Sequence, residues 1–291
     1  MECFFNILGW LLSLLTLAGN GFVVFLVAKN RRLHSSANWF VLSLAVADFG
    51  VGFAVFPSSY FCINSMTCNS KVHMAFFWFF LHSSVTNLST LTWDRYVAII
   101  HPFKYNNSIT ERRPGMVILM AWLVSFAISL TLLVGMYATN SDTALKVLRL
   151  TGVSAFDIIS CVLLFYAVIR ILVVARAQSH QESAIKMRVQ CNHTSSSPIE
   201  EESFQRGTNK HTAARFIIAI VVLYLGCYIV VNTVVLCIAF SCPVSDKAGQ
   251  VIICLLVLNS ALNPLVYAFL KSDIKNEIRN LVRRENLRND D

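Results

Sequence analysis

Seven apolar stretches, each long enough to cross a bilayer, make up most of this chain of 291 residues. A helix needs about 20 apolar residues to span the hydrocarbon core. Backbone polar groups in lipid must be satisfied within their own segment, so each stretch is predicted to be a helix. We expect an all-α membrane protein, a seven-transmembrane helix bundle forming a single domain over residues 1–291. The predicted spans are 6–29, 38–62, 71–100, 115–137, 150–175, 213–239 and 248–270.

Composition agrees with this fold class. Hydrophobic residues make up 56% of the chain and charged residues only 14%, whereas soluble domains have about a quarter charged residues.

After the last span, residues 271–284 place Ile274, Ile278 and Leu281 on one helical face and basic residues on the others. This pattern predicts a short amphipathic eighth helix on the inner leaflet.

The basic residues give the orientation. Of the 24 lysines and arginines, 20 fall in the segments 29–37, 94–114, 170–215 and 271–291, which alternate spans place on one side. Basic residues stay cytoplasmic, so the N-terminus is predicted outside and the C-terminus inside. The net charge of +8 is then a consequence of topology and does not indicate a nucleic-acid partner.

Polar side chains occur within spans that are otherwise apolar. Asp48, Ser84, Asn259, Ser260 and Asn263 all fall near mid-span or toward the inner half of three helices. An unpaired carboxylate in hydrocarbon is very unfavourable, so Asp48 is expected to face the bundle interior and to collect partners. Two interpretations stay open: an oxygen-lined site for a small cation with waters, or a hydrogen-bonded cluster that only holds the helices together.

Short motifs in the expected order give the chain a family resemblance. They are Gly19–Asn20, "LAVAD" at 44–48, "DRY" at 94–96, Trp122, Tyr166 and "NPLVY" at 263–267. The chain resembles a rhodopsin-type (class A) G-protein-coupled receptor over essentially its whole length. The resemblance implies a multi-pass receptor of the plasma membrane. No catalytic constellation is present, so we expect no enzyme activity.

The resemblance implies a switch for a heterotrimeric G protein at the inner face. Arg95 would be held by Asp94 at rest and released to the G protein, with Tyr166 and Tyr267 closing behind it through water. The acidic partner that the family places at the foot of the sixth span is replaced by Lys210 or by nothing, and either case predicts raised basal activity. The implied switch residues are Asp94, Arg95, Tyr96, Pro102, Phe103, Tyr166, Asn263, Pro264 and Tyr267.

The resemblance also favours a sodium ion in the polar cluster, as an allosteric modulator that stabilises the inactive state. Its implied ligands are Asp48, Ser84, Asn259, Ser260 and Asn263. No other cofactor is expected.

Several positions depart from the family pattern. The sixth span lacks the usual Trp and Pro, which makes Tyr228 the natural substitute for the toggle residue, although packing alone would also explain it. The common disulfide to the second outer loop is missing. Cys62 with Cys68, and Cys237 with Cys242, are close enough in sequence to pair on the oxidising outer face, but nothing fixes the pairing. These departures are similar to the melanocortin receptors and their adenosine, cannabinoid and lysophospholipid relatives.

The ligand class is partly excluded by two positions. Amine receptors keep an aspartate where this chain has Phe77, and opsins keep a lysine where it has Val257. His82 and Asp157 are intramembrane ionisable residues that the family pattern does not explain; they form a buried pair with each other or contact a polar ligand group. The candidate ligand-binding residues are Phe77, Trp78, Leu81, His82, Asp157, Tyr228, Asn232 and Val257.

The expected partners are a heterotrimeric G protein, membrane lipid, a small extracellular ligand, and arrestin through the third inner loop. Phosphorylation for arrestin is predicted at Ser195, Ser196, Ser197 or Ser203. Two other functions compete with a signalling receptor. One is a receptor-like scaffold or heteromer partner that does not signal; the other is a seven-span transporter or channel, which would need a chain of membrane carboxylates or paired broken helices.

Overall fold

The fold is that of a helical bundle in the computed structural model, which describes residues 2–65, 67–101, 105, 113–139, 141, 147, 154–191, 198–240, 242–245 and 247–289. No strand occurs within these ranges, which confirms the predicted fold class. The helices are α1 Glu2–Lys29, α2 Ser36–Ala54, α3 Phe56–Asn64, α4 Ser70–Ile100, α5 Arg113–Ala138, α6 Ala155–Cys191, α7 Pro198–Ala239, α8 Ala248–Leu270 and α9 Ser272–Asn289.

The second apolar stretch is divided into two helices. Its helical hydrogen bonding is interrupted at Val55, and α3 begins at Phe56 with a proline in its first turn. Pro57 has no amide hydrogen to donate back to α2, so the helix breaks there. The sequence predicts one continuous span over 38–62, and the structure differs from it at this point.

Six segments of the described chain are long and apolar enough to cross a membrane, and α4 is not among them. α4 nevertheless lies where the third span is predicted and packs against α2, α5, α6 and α7. Its polar side chains point into the bundle, among them Ser83, Asn87 and Thr92. The predicted span that falls short of the others in apolar length is therefore a helix with neighbours on several sides.

α1 joins the bundle through α2 and α8, and two motif residues of α1 make the contact with α8. A Cβ atom at Gly19 would lie only 3.0 Å from the Pro264 ring, so glycine lets the two helices approach. Pro264 has no amide hydrogen for the carbonyl of Ser260, four residues earlier. The Asn20 side-chain amide donates to that carbonyl at 3.1 Å, which replaces the missing helical bond.

Candidate functional site

The inner end of α4 holds a compact ionic network. Arg95 donates from Nε to Asp94 Oδ2 at 2.9 Å and also forms an ion pair with that oxygen through Nη2. The Tyr105 hydroxyl donates to Asp94 Oδ1 at 3.2 Å and accepts from Arg95 Nη2 at 3.3 Å. Burial raises the pKa of Tyr105, so its hydroxyl keeps the proton that it donates. Asp94 therefore has partners at both oxygens, and sequence reasoning missed Tyr105.

The other inner switch residues are placed apart from this network. Tyr267 is fully buried in α8 against Phe216 of α7, with ring centroids 5.7 Å apart. Tyr166 of α6 is 54% exposed on the outer surface of the bundle, and Tyr96 stacks on Trp93 at 5.4 Å. Arg95 held by Asp94 is the contact predicted for the resting state.

Some of the predicted inner residues cannot be placed. Pro102, Phe103 and Ser195–Ser197 lie outside the described residues, and so do the side chains of Ser203 and Lys210.

A lysine missed by the sequence reasoning lies beneath the bundle. Lys271, between α8 and α9, has its ammonium 3.8 Å from Asp273 and 5.8 Å from the centre of the Phe216 ring. Burial lowers the pKa of Lys271 to about 8; Asp273 raises it and Arg95 lowers it further. A second positively charged side chain therefore lies close to Arg95. It is poorly solvated, and Asp273 balances its charge only in part.

The polar cluster predicted at mid-membrane comes together around Asp48. Its Oδ1 accepts from the Ser84 hydroxyl at 2.6 Å and the Ser260 hydroxyl at 2.7 Å. Its Oδ2 accepts from the Asn263 amide at 2.7 Å. Asp48, Ser84, Ser260 and Asn263 thus join three helices, whereas the structure gives Asn259 a buried position without a hydrogen bond to Asp48.

Acceptor atoms without partners surround this cluster. The side-chain oxygens of Asn20 and Asn263 and the Tyr267 hydroxyl are buried and make no hydrogen bond. Buried polar atoms are normally satisfied, so the space around Asp48 suits water or a small cation. Carboxylate, hydroxyl and amide oxygens are ligands for hard cations.

A hydrogen-bond chain fixes the rotation of α4 and so the direction of its side chains. The Trp122 indole donates to Ser43 at 3.0 Å, and the Ser43 hydroxyl donates to Asn87 at 2.6 Å. The Asn87 amide in turn donates to the Ser83 carbonyl at 2.8 Å. Trp122, a motif residue, thereby ties α5 to α2 and α4.

The outer half of the bundle contains an aromatic column on α4. The Trp78 ring lies edge-on to Phe77 at 5.3 Å and stacks on His82 at 5.7 Å. Phe156 of α6 contacts the other side of the imidazole, with 5.2 Å between centroids. His82 is 1% exposed, and neither ring nitrogen has a hydrogen-bond partner. The buried His82–Asp157 pair is therefore not formed.

The remaining candidates for ligand contact lie on α6, α7 and α8. Tyr228 stacks on Tyr224 at 4.2 Å, and the Asn232 amide donates to the Tyr228 carbonyl at 2.9 Å. Asp157 is buried close enough to Tyr224 and Tyr228 to act on both electrostatically. Leu81 and Val257 are buried in the apolar core around these residues.

One of the two candidate cysteine pairs is bonded. Cys62 of α3 and Cys68, in the connection before α4, form a disulfide. Cys237 and Cys242 stay free thiols. The Cys242 amide donates to the Cys237 carbonyl at 2.8 Å, a turn that holds the two residues near each other without a covalent bond.

Comparison with known proteins identifies the family. The sequence profile described as "7 transmembrane receptor (rhodopsin family)" matches residues 19–267. The chain belongs to this family. It is 28% identical to the adenosine receptor A2a of Cavia porcellus over 310 aligned positions, covering 95% of this chain and 72% of that receptor. It is 27% identical to the adenosine receptor A2b of Gallus gallus, covering 100% of this chain and 92% of that receptor.

Squid rhodopsin has the same fold, with a TM-score of 0.76 at 18% sequence identity, covering 95% of this chain and 83% of that structure. Family membership confirms a class A G-protein-coupled receptor, a multi-pass membrane protein that is not an enzyme. It also confirms the resemblance to the adenosine group.

Proposed function

We propose that this class A receptor sits in the plasma membrane with its N-terminus outside, binds a small extracellular ligand in the outer half of the bundle, and activates a heterotrimeric G protein. The observation that carries the proposal is the pair Asp94 and Arg95, intact and closed by Tyr105 at the inner end of α4. A scaffold that does not signal has no use for an arginine held so that it can be released. Serines of the third inner loop are the proposed arrestin phosphosites.

The ligand we propose is neither a biogenic amine nor covalently bound retinal. Phe77 and Val257 stand where a counter-ion or a Schiff-base lysine is needed. Adenosine is the first ligand to test because two of the similar receptors carry its name.

The test is a ligand-library screen, adenosine included, in cells that report several G-protein outputs. We expect at least one compound to produce a signal that Arg95→Ala abolishes. The matched variants are Asp157→Asn, which removes the buried carboxylate, and Asp273→Asn, which removes an exposed one. Binding should weaken only in Asp157→Asn, with surface expression retained. Failure of every compound in every output would favour the scaffold function.

A sodium ion bound at Asp48 is part of the proposal. The carboxylate, the two serine hydroxyls and the unpartnered amide oxygens of Asn20 and Asn263 supply the oxygen ligands such an ion needs. A bound ion that bridges three helices stabilises the folded receptor against unfolding, because the unfolded chain does not hold these ligands together.

Replacing sodium by N-methylglucamine at constant ionic strength should therefore lower the melting temperature of the purified receptor by a few degrees. Asp48→Asn should abolish the difference, and Asp157→Asn should retain it. A sodium effect that survives in Asp48→Asn would exclude this site.

A further inference from the structure

A groove of about 460 Å³ opens on the lipid-facing side of the bundle between α4, α5 and α6. Its walls include Met116 and Met120 of α5 and Ile159 and Leu163 of α6, all strongly exposed. Its size is within the range of small-molecule sites, about 300–1,000 Å³. On α5 it runs from Met116 to Val124, about 12 Å of helix.

The groove exists because α5 and α6 barely touch each other in the described part of the chain. Each packs instead on α4. The gap therefore leaves part of α4 accessible from the bilayer. Thr86, Ser89 and Thr90 of α4 form the floor of the groove. The gap lies within the spans Pro114–Ala138 and Ala155–Ala177, so only molecules dissolved in the membrane reach it directly.

One end of the groove lies next to His82, the buried histidine whose ring has no hydrogen bond. Phe156 lines the groove and contacts the imidazole at 5.2 Å. Thr86, one turn inward on α4, also lines the groove, and its hydroxyl donates to the His82 carbonyl at 3.0 Å. Both ring nitrogens of His82 lack a partner, so a polar group that displaces the Phe156 ring at this end of the groove would meet an unpaired nitrogen.

The chemistry of the walls selects the polar group. None of the twelve residues that line the groove is charged, which disfavours phosphate, carboxylate and ammonium head groups. A neutral imidazole presents one donor and one acceptor. An alcohol can pair with either nitrogen, by donating to the acceptor or accepting from the N–H, whereas a carboxylate only accepts and an ammonium only donates.

We propose that the groove between α4, α5 and α6 binds a sterol from the bilayer, with the ring system against α5 and α6 and the hydroxyl directed to His82. The site lies apart from the aspartate cluster and from the inner switch. It rests on the proposed function only for what sterol binding does to signalling, because occupancy presses on Phe156 and His82 at the floor of the proposed ligand pocket.

The experiment measures labelling of the purified full-length receptor in nanodiscs by a photoreactive, alkyne-tagged sterol, without G protein. Met120→Trp fills the groove. Leu119→Trp is the matched control, since Leu119 is the adjacent residue on α5, outside the groove, and the two side chains are 57% and 59% exposed. We expect saturable labelling that excess unlabelled sterol displaces, lost in Met120→Trp and retained in Leu119→Trp.

His82→Phe tests the polar contact, with His73→Phe of the same helix as its control. The half-saturating sterol concentration should rise about tenfold in His82→Phe, the effect of one lost hydrogen bond, and stay unchanged in His73→Phe. Equal labelling of the two tryptophan variants, or stronger labelling by a fatty-acid probe with the same photoreactive group, would overturn the proposal. Labelling that persists in a receptor without G-protein output would contradict the proposed function and leave the sterol site standing.

Discussion

The charged ammonium group of Lys271 lies where little water reaches it. Its burial should lower the stability of the folded receptor by a measurable amount. Burial lowers the pKa of Lys271 from its usual 10.5 to about 8. Between these two values the unfolded chain binds a proton that the folded chain does not, so stability rises with pH across this window. Below about pH 8 the full penalty of the buried charge is present.

We expect the melting temperature of the purified receptor to rise between pH 7.5 and 9.5. Lys271→Met should melt a few degrees higher than the unmodified chain at pH 7.5 and should lose that part of the pH dependence, since about 1 kcal/mol corresponds to roughly 2–4 °C. Lys275→Met is the control one turn further along α9. A Lys271→Met variant that melts lower at pH 7.5 would show that the contact with Phe216 outweighs the desolvation of the charge.

The same charge should favour opening of the inner face. Arg95 and Lys271 repel each other in the closed arrangement, and the sequence places Lys210, not an acid, just before the sixth predicted span. Ligand-free second-messenger output should therefore exceed that of Arg95→Ala and fall by about half or more in Lys271→Met. Equal output from the unmodified chain and Arg95→Ala would refute raised basal activity.

Single residues differ in how far the sequence could reveal them. Asp48 is detectable because a carboxylate within an apolar span must find partners, and Ser84, Ser260 and Asn263 lie at matching depths. Tyr105 and Lys271 carry no such signal. Their contacts with Asp94, Arg95 and Phe216 depend on how the chain turns after α4 and α8, which residue spacing does not determine.

At the scale of helices, α1 and α8 share one hydrogen bond that neither sequence motif explains alone. The Asn20 amide donates to the Ser260 carbonyl that Pro264 leaves without a partner. Losing this bond in Asn20→Ala should lower stability by about 1–2 kcal/mol, because a buried acceptor loses its partner. With Pro264→Ala the carbonyl regains a helical donor, so Asn20→Ala should cost less in that background.

A double-mutant cycle from thermal or denaturant unfolding measures this difference. The Asn20 side chain also donates to the Thr16 carbonyl. That carbonyl still accepts from a backbone amide of α1 after Asn20→Ala, so the loss of this second bond should not obscure the coupling to Pro264. Additive effects of Asn20→Ala and Pro264→Ala would show that the two residues act independently.

The helices themselves were the most predictable part of the chain, for physical reasons. Apolar length alone identifies α1, α5, α6, α7, α8 and the segment Ser36–Asn64, since each is as long and apolar as a bilayer crossing requires. The break at Val55 depends on whether Pro57 falls inside a helix or starts a new one, and proline permits both. The lipid-facing groove could not be predicted, because it arises from the distance between α5 and α6 and not from any residue pattern.

For the whole molecule, the proposed orientation is tested by the exposure of its ends. An epitope tag at the N-terminus should be stained on intact cells, and a tag at the C-terminus only after permeabilisation. The distribution of 20 basic residues on one side predicts this result. Staining of the C-terminal tag on intact cells would reverse the topology and remove Arg95 from the G-protein side. A tag inserted after Ala239, at the outer end of the sixth span, should behave as the N-terminal tag does.

The polar character of α4 has a consequence for how the receptor is made in the cell. A helix that carries Ser83, Ser84, Asn87 and Thr92 gains little from entering lipid alone, so it depends on α2 and α5 to shelter these groups as it leaves the ribosome. Ser43 and Trp122 offer the partners for that early assembly. Defects in this contact would then appear first as retention and degradation during synthesis, before any change in a finished receptor could be measured.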